Sequence, residues 1–112
     1  MTNSILETIR PLCNVDRDND EFDEELIPIA NGVFATLTHL GVGPKEGFRI
    51  TCSTDEWSKF TTDAVMLGFV RQYVPMKTRM TFDPPSSSSV LSAYEKTIQE
   101  LEWRIIECNE GR

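Results

Sequence analysis

The apolar residues between Phe22 and Leu40 recur at helical spacing, and this is the feature that most constrains the fold. They are separated by four, three, four, four and three positions: Phe22, Leu26, Ile29, Val33, Leu37 and Leu40. Such a stripe occupies one face of a helix and needs other elements to cover it. We therefore expect an amphipathic helix from about Asp20 to Leu40. Pro28 should kink it, because a proline ring clashes with the carbonyl one turn back.

A segment rich in glycine and proline follows this helix directly. Gly41, Gly43, Pro44 and Gly47 fall within seven consecutive positions. Gly41 is well placed to end the helix, because glycine readily adopts the left-handed conformation found at helix C-termini. The segment matches neither the G-x-G-x-x-G pattern of dinucleotide-binding loops nor the G-x-x-x-x-G-K-S/T pattern of phosphate-binding loops. We therefore interpret it as a structural turn or a contact loop.

Two capping boxes of the form Ser-x-x-Glu predict where the first and third helices begin. Ser4 starts a short helix, bent or shortened by Pro11, whose buried face carries Ile5, Ile9 and Leu12. Ser53 starts the third helix at about Thr54. Just before Ser53 apolar residues alternate with polar ones, which predicts a short extended segment with Phe48, Ile50 and Cys52 on one side.

The third helix is expected to continue, past a kink at Pro75, through Phe82. Its residues 64–74 are apolar at most positions, which predicts burial on all sides. A break at Asp83–Ser89 then precedes a last helix. The apolar stripe of that helix consists of Val90 or Leu91, Tyr94, Ile98, Leu101 and Ile105. The whole chain, residues 1–112, is therefore expected to form one all-α domain, a small bundle of about four helices.

Composition narrows the class of protein. Hydrophobic residues make up 39% and charged residues 26% of the chain, which is typical of a folded soluble domain. No apolar run is long enough for a membrane helix, and the N-terminus lacks the pattern of a secretory signal, so we expect an intracellular chain with no membrane contact. The net charge of −7 argues against binding nucleic acid through its phosphates, which requires clustered basic residues.

The residues that could carry chemistry form no recognisable catalytic motif. His39, the single histidine, lies at the end of a helix, and no serine or cysteine lies in a nucleophile motif. Cys13, Cys52 and Cys108 are widely spaced without a C-x-x-C pair, which argues against a zinc site or a disulfide framework. We expect buried or half-buried free thiols, no cofactor and no enzymatic activity.

An acidic segment begins like a calcium-binding loop but does not continue as one. Asp16, Asp18 and Asp20 occupy the first, third and fifth positions of such a loop. The sixth position should be glycine and is Glu21, and the twelfth should be glutamate and is Ile27. We interpret the segment as a solvated acidic turn without a metal ion.

Four apolar residues lie away from the main stripes of their helices: Ile27, Phe34, Trp103 and Ile106. One interpretation is a second packing face within a crowded helical core. The other is a subunit or partner interface, in which tryptophan is enriched. The spacing of these residues leaves both interpretations open.

Longer stretches of the chain are more specific than any of these motifs. They include FDEELIPIANGVFATLTHLGVGP followed by GFRI, and FDPPSSSSVLSAYEKTIQELEWRI. Their most specific pieces are Leu40–Pro44, Phe82–Pro85 with the serines that follow, and Glu100–Arg104. In this order and spacing, over Leu6–Ile106, they resemble the head-tail connector (adaptor) proteins of tailed bacteriophages. The chain departs from that pattern at Pro28 and Pro75, where the family is expected to carry other residues.

The resemblance implies a small fold of about four helices without enzymatic activity. It also implies a ring, usually of twelve copies, beneath the portal at the neck of the virion, after synthesis in the cytoplasm of the bacterial host. The partners of such a ring are further copies of the chain, the portal protein, and a head-closure (stopper) or tail-completion protein. DNA would pass through the lumen without specific binding.

Three groups of residues are candidates for contacts in such a ring. An interface loop that contacts a neighbouring subunit or neck protein is assigned to Gly41, Val42, Gly43, Pro44, Lys45, Gly47 and Phe48. Contacts with another subunit or with the portal are assigned to Ile27, Phe34, Trp103 and Ile106. An acidic surface near the channel, which would repel the DNA backbone, is assigned to Asp16, Asp18, Asp20 and Glu21.

Two other classes of function remain as alternatives. A small acidic phage protein with a pI near 4.6 could mimic DNA and inhibit a host DNA-binding enzyme. That activity requires carboxylates arrayed at phosphate-like spacing, whereas here they cluster mainly at Asp16–Glu25. A calcium-binding module is the other alternative, and Glu21 and Ile27 argue against it.

Overall fold

Four α-helices and one short 3-10 turn make up the regular structure of residues 3–111, the part of the chain that a computed structural model describes. The helices are α1 (Ile5–Leu12), α2 (Asp23–His39), α3 (Ala64–Phe82) and α4 (Ser88–Glu110), and the 3-10 turn is Trp57–Lys59. Over the same residues there is no strand, only an isolated bridge between Ser4 and Glu56. The predicted all-α bundle is therefore confirmed, although the expected extended segment forms no strand.

Helix α3 is the centre of the bundle, because it packs against each of the other three helices. The largest fully buried side chains are Trp57, Tyr73 and Phe34, which come from the loop before α3, from α3 and from α2. Helix α4 is joined to α3 by a hydrogen bond from the Tyr73 hydroxyl to Oε2 of Glu102, 2.8 Å long. No helix within the described residues is long and apolar enough to cross a membrane.

Helix α1 begins at its predicted cap. The Oγ of Ser4 accepts a hydrogen bond from the backbone N–H of Glu7, 3.3 Å away. Ile5 and Ile9 are buried as expected, but Leu12 is exposed. The prediction for Leu12 was wrong because the helix ends there, and the next residue, Cys13, enters the core in its place.

Helix α2 begins at Asp23, three residues later than predicted. A buried arginine holds the first turn: Nε and Nη2 of Arg10 donate to the two carboxylate oxygens of Asp23 at 3.1 and 2.6 Å. The helix continues through Pro28, and its buried residues are Leu26, Ala30, Val33, Phe34 and Leu37.

Helix α3 begins at Ala64, ten residues after the predicted start at Thr54. Its cap is Asp63, whose Oδ1 accepts hydrogen bonds from the N–H groups of Val65 and Met66. The predicted start at Ser53 was wrong, because residues 54–63 form the loop and 3-10 turn that bury Trp57. The helix does continue through Pro75 to Phe82, as predicted.

Burial on all sides of α3 was also predicted wrongly. Ala64, Val65 and Gly68 are exposed, and Val65 retains 55% of its accessible surface. The buried face is formed by Met66, Val70, Tyr73, Val74, Pro75 and Thr78. Helix α3 contacts three other helices and still has an exposed face. The apolar composition of residues 64–74 therefore did not predict which of its side chains are buried.

Helix α4 buries a narrower stripe than predicted. Ile98, Leu101 and Ile105 are buried, whereas Leu91 and Tyr94 are half-buried and Val90 is exposed. The first two turns of α4 therefore lie at the edge of the bundle.

The three thiols are free, as expected, but they differ in exposure. Cys13 is buried and Cys108 is half-buried, whereas Cys52 is exposed. The expectation that every thiol is at least half-buried was therefore wrong for Cys52, which lies in the loop between α2 and α3.

Candidate functional site

The glycine-rich segment begins with a tight helix cap. Gly41 has a φ of +85°, in the left-handed region that was predicted for it. Its N–H donates to the carbonyl of Thr38, and the N–H of Val42 donates to the carbonyl of Leu37, both at 2.9 Å. This is the pattern of a Schellman motif, which places the residue after the glycine against the end of the helix. Val42 is accordingly buried.

The segment then turns back onto the core through a close contact at Gly43. This glycine has a φ of +88°, and a Cβ at its position would lie 2.4 Å from Cε1 of Phe60. The rings of Phe48 and Phe60 are 5.2 Å apart, and Phe48 lies 4.9 Å from the ring of Phe34. Most of the segment is therefore attached to its own subunit, and its exposed tip is formed by Lys45 and Glu46.

A side-chain amide fixes the return of the segment along α2. Nδ2 of Asn31 donates to the carbonyl of Ile50 at 3.0 Å, and the N–H of Ile50 donates to Oδ1 of Asn31 at 2.8 Å. These two bonds, rather than strand pairing, fix the segment that the alternating sequence predicted as extended. They hold residues 46–49 beside the outer face of α2 with a space between.

That space is a groove of about 830 Å³, the α2 groove. Its lining residues come from α2 and from the glycine-rich segment: Ile27, Pro28, Asn31, Gly32, Ala35, Thr38, Glu46, Gly47, Phe48 and Arg49. Two groups of candidates that are separate in the sequence therefore meet here, since Ile27 lies opposite a wall that contains Gly47 and Phe48. Gly32 and Ala35 keep the floor of the groove low, because neither has a bulky side chain.

The outer side of α4 forms a second candidate surface, the α4 face, defined by Trp103, Ile106, Glu107 and Glu110. Trp103 retains 57% of its accessible surface and Ile106 retains 38%. Both side chains are exposed, as the interpretation of a subunit or partner interface requires. Phe34 is the exception among the four apolar candidates, since it is completely buried between α2 and the aromatic residues of the loop. The assignment of Phe34 to a contact with another chain is therefore withdrawn.

The acidic turn is anchored from its inner side. Arg10 is 4% exposed, and its Nη1 donates to the carbonyl of Arg17 at 2.7 Å in addition to its bonds with Asp23. The hydrogen bond with Asp23 is the largest influence on Arg10 and raises its pKa above the ordinary value. Nδ2 of Asn14 also donates to Oδ2 of Asp83, at 2.9 Å, which ties the turn to the end of α3.

This anchoring leaves the predicted acidic surface facing solvent: Asp16, Asp18, Asp20 and Glu21 are all exposed. Over residues 3–111 no group of three or more histidine, cysteine or acidic side chains is placed to hold a metal ion. The arrangement of the turn is therefore that of a charged surface.

Side chains with shifted pKa values are distributed over separate parts of the fold. Burial raises the pKa of the Tyr73 hydroxyl, and the hydrogen bond to Glu102 raises it further. Burial raises the pKa of the Cys13 thiol to about 11. The hydroxyl of Thr54 lowers the pKa of Cys52 by hydrogen bonding to its sulfur, 2.9 Å away. Each shift has a local structural cause, and the three groups do not lie in the α2 groove or on the α4 face.

Two basic residues beside the α2 groove were missed as a group by the sequence analysis. Lys45 and Arg49 are exposed, and neither forms a salt bridge within the described residues. Their positions along the chain, on either side of Glu46 and Phe48, gave no signal that Arg49 lines a recess whose wall begins at Glu46, the residue after Lys45.

Comparison with known families agrees with the resemblance drawn from the sequence. A family model described as phage connector protein matches residues 5–111. No curated protein and no solved structure gives a significant match to the chain. The chain belongs to the family of phage connector proteins, which have a structural role in joining the phage head to the tail.

Proposed function

We propose that copies of this chain form a ring, of twelve subunits as the resemblance implies, between the portal and the next protein of the neck. Such a ring extends the DNA channel and provides a docking surface for a head-closure or tail-completion protein. The observation that carries the proposal is the presence of two different surfaces, the α2 groove and the α4 face, on a chain of the connector family. A ring requires two different contact faces on each subunit.

The charge of the chain supports the passage of DNA without specific binding. The net charge is −7, and the acidic turn, which Arg10 anchors through Asp23 and the carbonyl of Arg17, presents four exposed carboxylates. A ring multiplies this charge around its lumen. Carboxylates that face the lumen would repel the DNA backbone and keep the duplex from adhering to the wall.

The tip of the glycine-rich segment is the candidate contact with a neighbouring subunit or a neck protein. Lys45 and Glu46 project from a segment whose two sides are fixed by the Gly41 cap and by Asn31. A contact made by a tip held in this way loses little conformational entropy on binding. Gly41→Val should impair folding or assembly, because valine does not fit a φ of +85°.

Electron microscopy of lysates from a phage that lacks this gene tests the proposal. We expect heads that are filled with DNA or leaking it, together with separate complete tails. A plasmid copy of the wild-type gene should restore joined particles. Joined virions in the absence of the gene would contradict the connector role and would favour the alternative of an acidic DNA mimic.

A further inference from the structure

We infer that neighbouring copies contact each other head to tail, with Trp103 on the α4 face of one copy seated in the α2 groove of the next. This inference rests on the proposed ring and adds to it the two surfaces that would form the contact between copies. It commits to a second copy of this chain as the occupant of the groove.

The shapes of the two surfaces are complementary. The α2 groove is an open recess of about 830 Å³ with apolar side chains from Ile27 and Phe48. A Cβ at Gly32 or at Gly47 would have no heavy atom within 4 Å, so the space above both glycines is free. Trp103 is the most exposed of the large hydrophobic residues in the described chain, and Ile106 follows it after one helical turn. A projecting indole and a recess with a low floor therefore occur on different faces of one molecule.

The charges around the two surfaces are complementary as well. Arg49 lines the groove together with Glu46, and Lys45 precedes Glu46 in the chain. Neither Arg49 nor Lys45 has a salt-bridge partner among residues 3–111. Glu107 and Glu110 lie on the same side of α4 as Trp103, and they too form no salt bridge within that range. The one arginine on this part of α4, Arg104, is already paired with Glu100 at 2.9 Å. When the indole enters the groove, acidic residues would approach unpaired basic ones.

A contact of this kind is heterologous, because each subunit offers a projection to one neighbour and a recess to the other. Repetition of a heterologous contact gives a closed ring when the rotation between subunits closes. An isologous contact, in which the same patch meets itself, would stop at a dimer. The two cases can therefore be distinguished by mixing variants.

Two variants each remove one half of the contact. Trp103→Arg removes the projection, and Ala35→Trp fills the groove at an exposed position of α2. Ser92→Arg is the matched control for the first, since it introduces the same charge on the same side of α4 about three turns away. Thr36→Trp is the control for the second, since Thr36 is the next residue along α2, is exposed and does not line the groove. Circular dichroism melting confirms that each variant folds.

The experiment measures the size of the assemblies by sedimentation velocity, with and without the portal protein. We expect Trp103→Arg and Ala35→Trp each to weaken self-association at least ten-fold, as is usual for a tryptophan at the centre of an interface. The two controls should assemble like the wild type. A mixture of the two variants should form one-to-one dimers and stop there, because one intact groove and one intact indole remain in each pair.

The outcomes separate this inference from the proposed ring. Wild-type protein that stays monomeric at every concentration and on the portal would contradict the ring itself. Wild-type rings together with normal assembly of both variants, or a mixture that forms no dimer, would contradict the contact but leave the ring in place. Binding of a neck protein that is lost in Ala35→Trp while rings persist would assign the groove to that protein and likewise overturn the inference.

A charge exchange tests the orientation of the contact. Arg49→Glu should weaken assembly, and addition of Glu107→Arg in the same chain should restore part of it, because the reversed charges attract again across the contact. Restoration beyond the effect of the recovered net charge requires these two positions to approach each other between copies. Equal or greater loss in the double variant would contradict the orientation proposed here.

Discussion

The two tryptophans of this protein occupy opposite environments although each follows a glutamate in the sequence. Trp57 is completely buried, its Nε1–H donates to Oγ1 of Thr8 at 3.1 Å, and its backbone N–H donates to the carbonyl of Asn3 at 3.0 Å. Trp103 keeps 57% of its surface, and its side chain makes no hydrogen bond or ring contact within the described residues. Trp57 thus joins the loop before α3 to α1, whereas most of the Trp103 side chain is exposed to solvent.

This contrast separates residues that stabilise the fold from exposed residues that the proposed ring would use for contacts between copies. Near Trp57, donors have acceptors and rings have neighbours: Phe34 lies 6.1 Å from the indole, and the guanidinium of Arg71 lies 5.8 Å above it. Near Trp103, large apolar side chains are exposed beside unpaired carboxylates. Changes around the first residue should therefore alter stability, and changes around the second should alter assembly.

The largest effect is expected when the two tryptophans are truncated in turn. Trp57→Ala should lower the free energy of unfolding by about 3–5 kcal/mol, because it leaves a large cavity in the core. Trp103→Ala should change it by less than about 0.5 kcal/mol, as is usual for an exposed residue. Urea unfolding of both variants, followed by circular dichroism, measures the difference. Similar losses in the two variants would remove the distinction between them.

A smaller effect is expected from two glycines in the segment that packs against Phe60 and Phe34. Gly43→Ala should destabilise the fold by about 2–3 kcal/mol, because its φ is +88° and the new Cβ would collide with the ring of Phe60. Gly47→Ala should cost only about 1 kcal/mol, since its φ is also positive but no atom lies near. Thermal unfolding of the two variants measures both losses, and their difference gives the cost of the collision with Phe60 apart from the backbone strain that both share. Equal costs would mean that the contact with Phe60 relaxes freely.

The hydrogen bond of the Trp57 indole should contribute less to the free energy of unfolding than the burial of the indole ring. Thr8→Val removes the acceptor of the indole N–H while keeping the shape of the side chain, and should cost about 1–2 kcal/mol. Thr36→Val is a suitable control, because Thr36 is exposed and its hydroxyl donates only to the carbonyl of Gly32 within its own helix. Chemical unfolding compares the two variants. An unchanged Thr8→Val protein would show that the indole finds another acceptor.

The alkylation rates of the three thiols test the contrast between buried and exposed positions without any substitution. At neutral pH Cys52 should be alkylated first and Cys13 last, because Cys52 is exposed with a pKa lowered by the Thr54 hydroxyl, whereas burial raises the pKa of Cys13 to about 11. Iodoacetamide labelling followed by peptide mass mapping measures the order. Early labelling of Cys13 would indicate that the region behind α1 opens in the native state.

The raised pKa of Cys13 also predicts a dependence of stability on pH. The unfolded chain ionises this thiol near pH 9, whereas the folded protein retains the proton to about pH 11. Its contribution is therefore fully present below pH 9 and is lost as the pH rises from 9 towards 11. Between pH 9 and pH 11 the free energy of unfolding, measured from denaturation curves, should decrease less steeply with pH for Cys13→Ala than for the wild type. Identical slopes would contradict the assignment.

The two capping boxes show how far local patterns could predict the fold. Ser4 caps a helix, as its sequence predicts, but the same motif at Ser53 does not. There the carboxylate of Asp55 accepts hydrogen bonds from the N–H groups of Thr51 and Cys52, and the carbonyl of Ser53 accepts one from the hydroxyl of Ser4. These bonds stabilise a turn at the position where a helix was expected. The second motif was thus used for a contact between distant segments.

Single residues of the candidate site were predictable from the sequence, but their arrangement in space was not. Gly41 was correctly identified as a helix end, and Trp103 and Ile106 were correctly separated from the stripe of α4, because both inferences depend on spacing within one helix. For Phe34 the spacing left core packing and an interface both open, and the residue lies in the core, because the loop that covers it returns from residues 48–60.

The positions of α2 and α4 follow from periodicity, and the end of α2 follows from a glycine, because these are properties of neighbouring residues. The α2 groove, the exposure of Trp103 and the start of α3 depend instead on which segments meet in space. The course of the loop between α2 and α3 depends on the hydrogen bonds of Asn31 with Ile50 and of Trp57 with Thr8. Since each of these pairs joins residues far apart in the chain, only the packed bundle shows which apolar side chains are covered and which remain exposed.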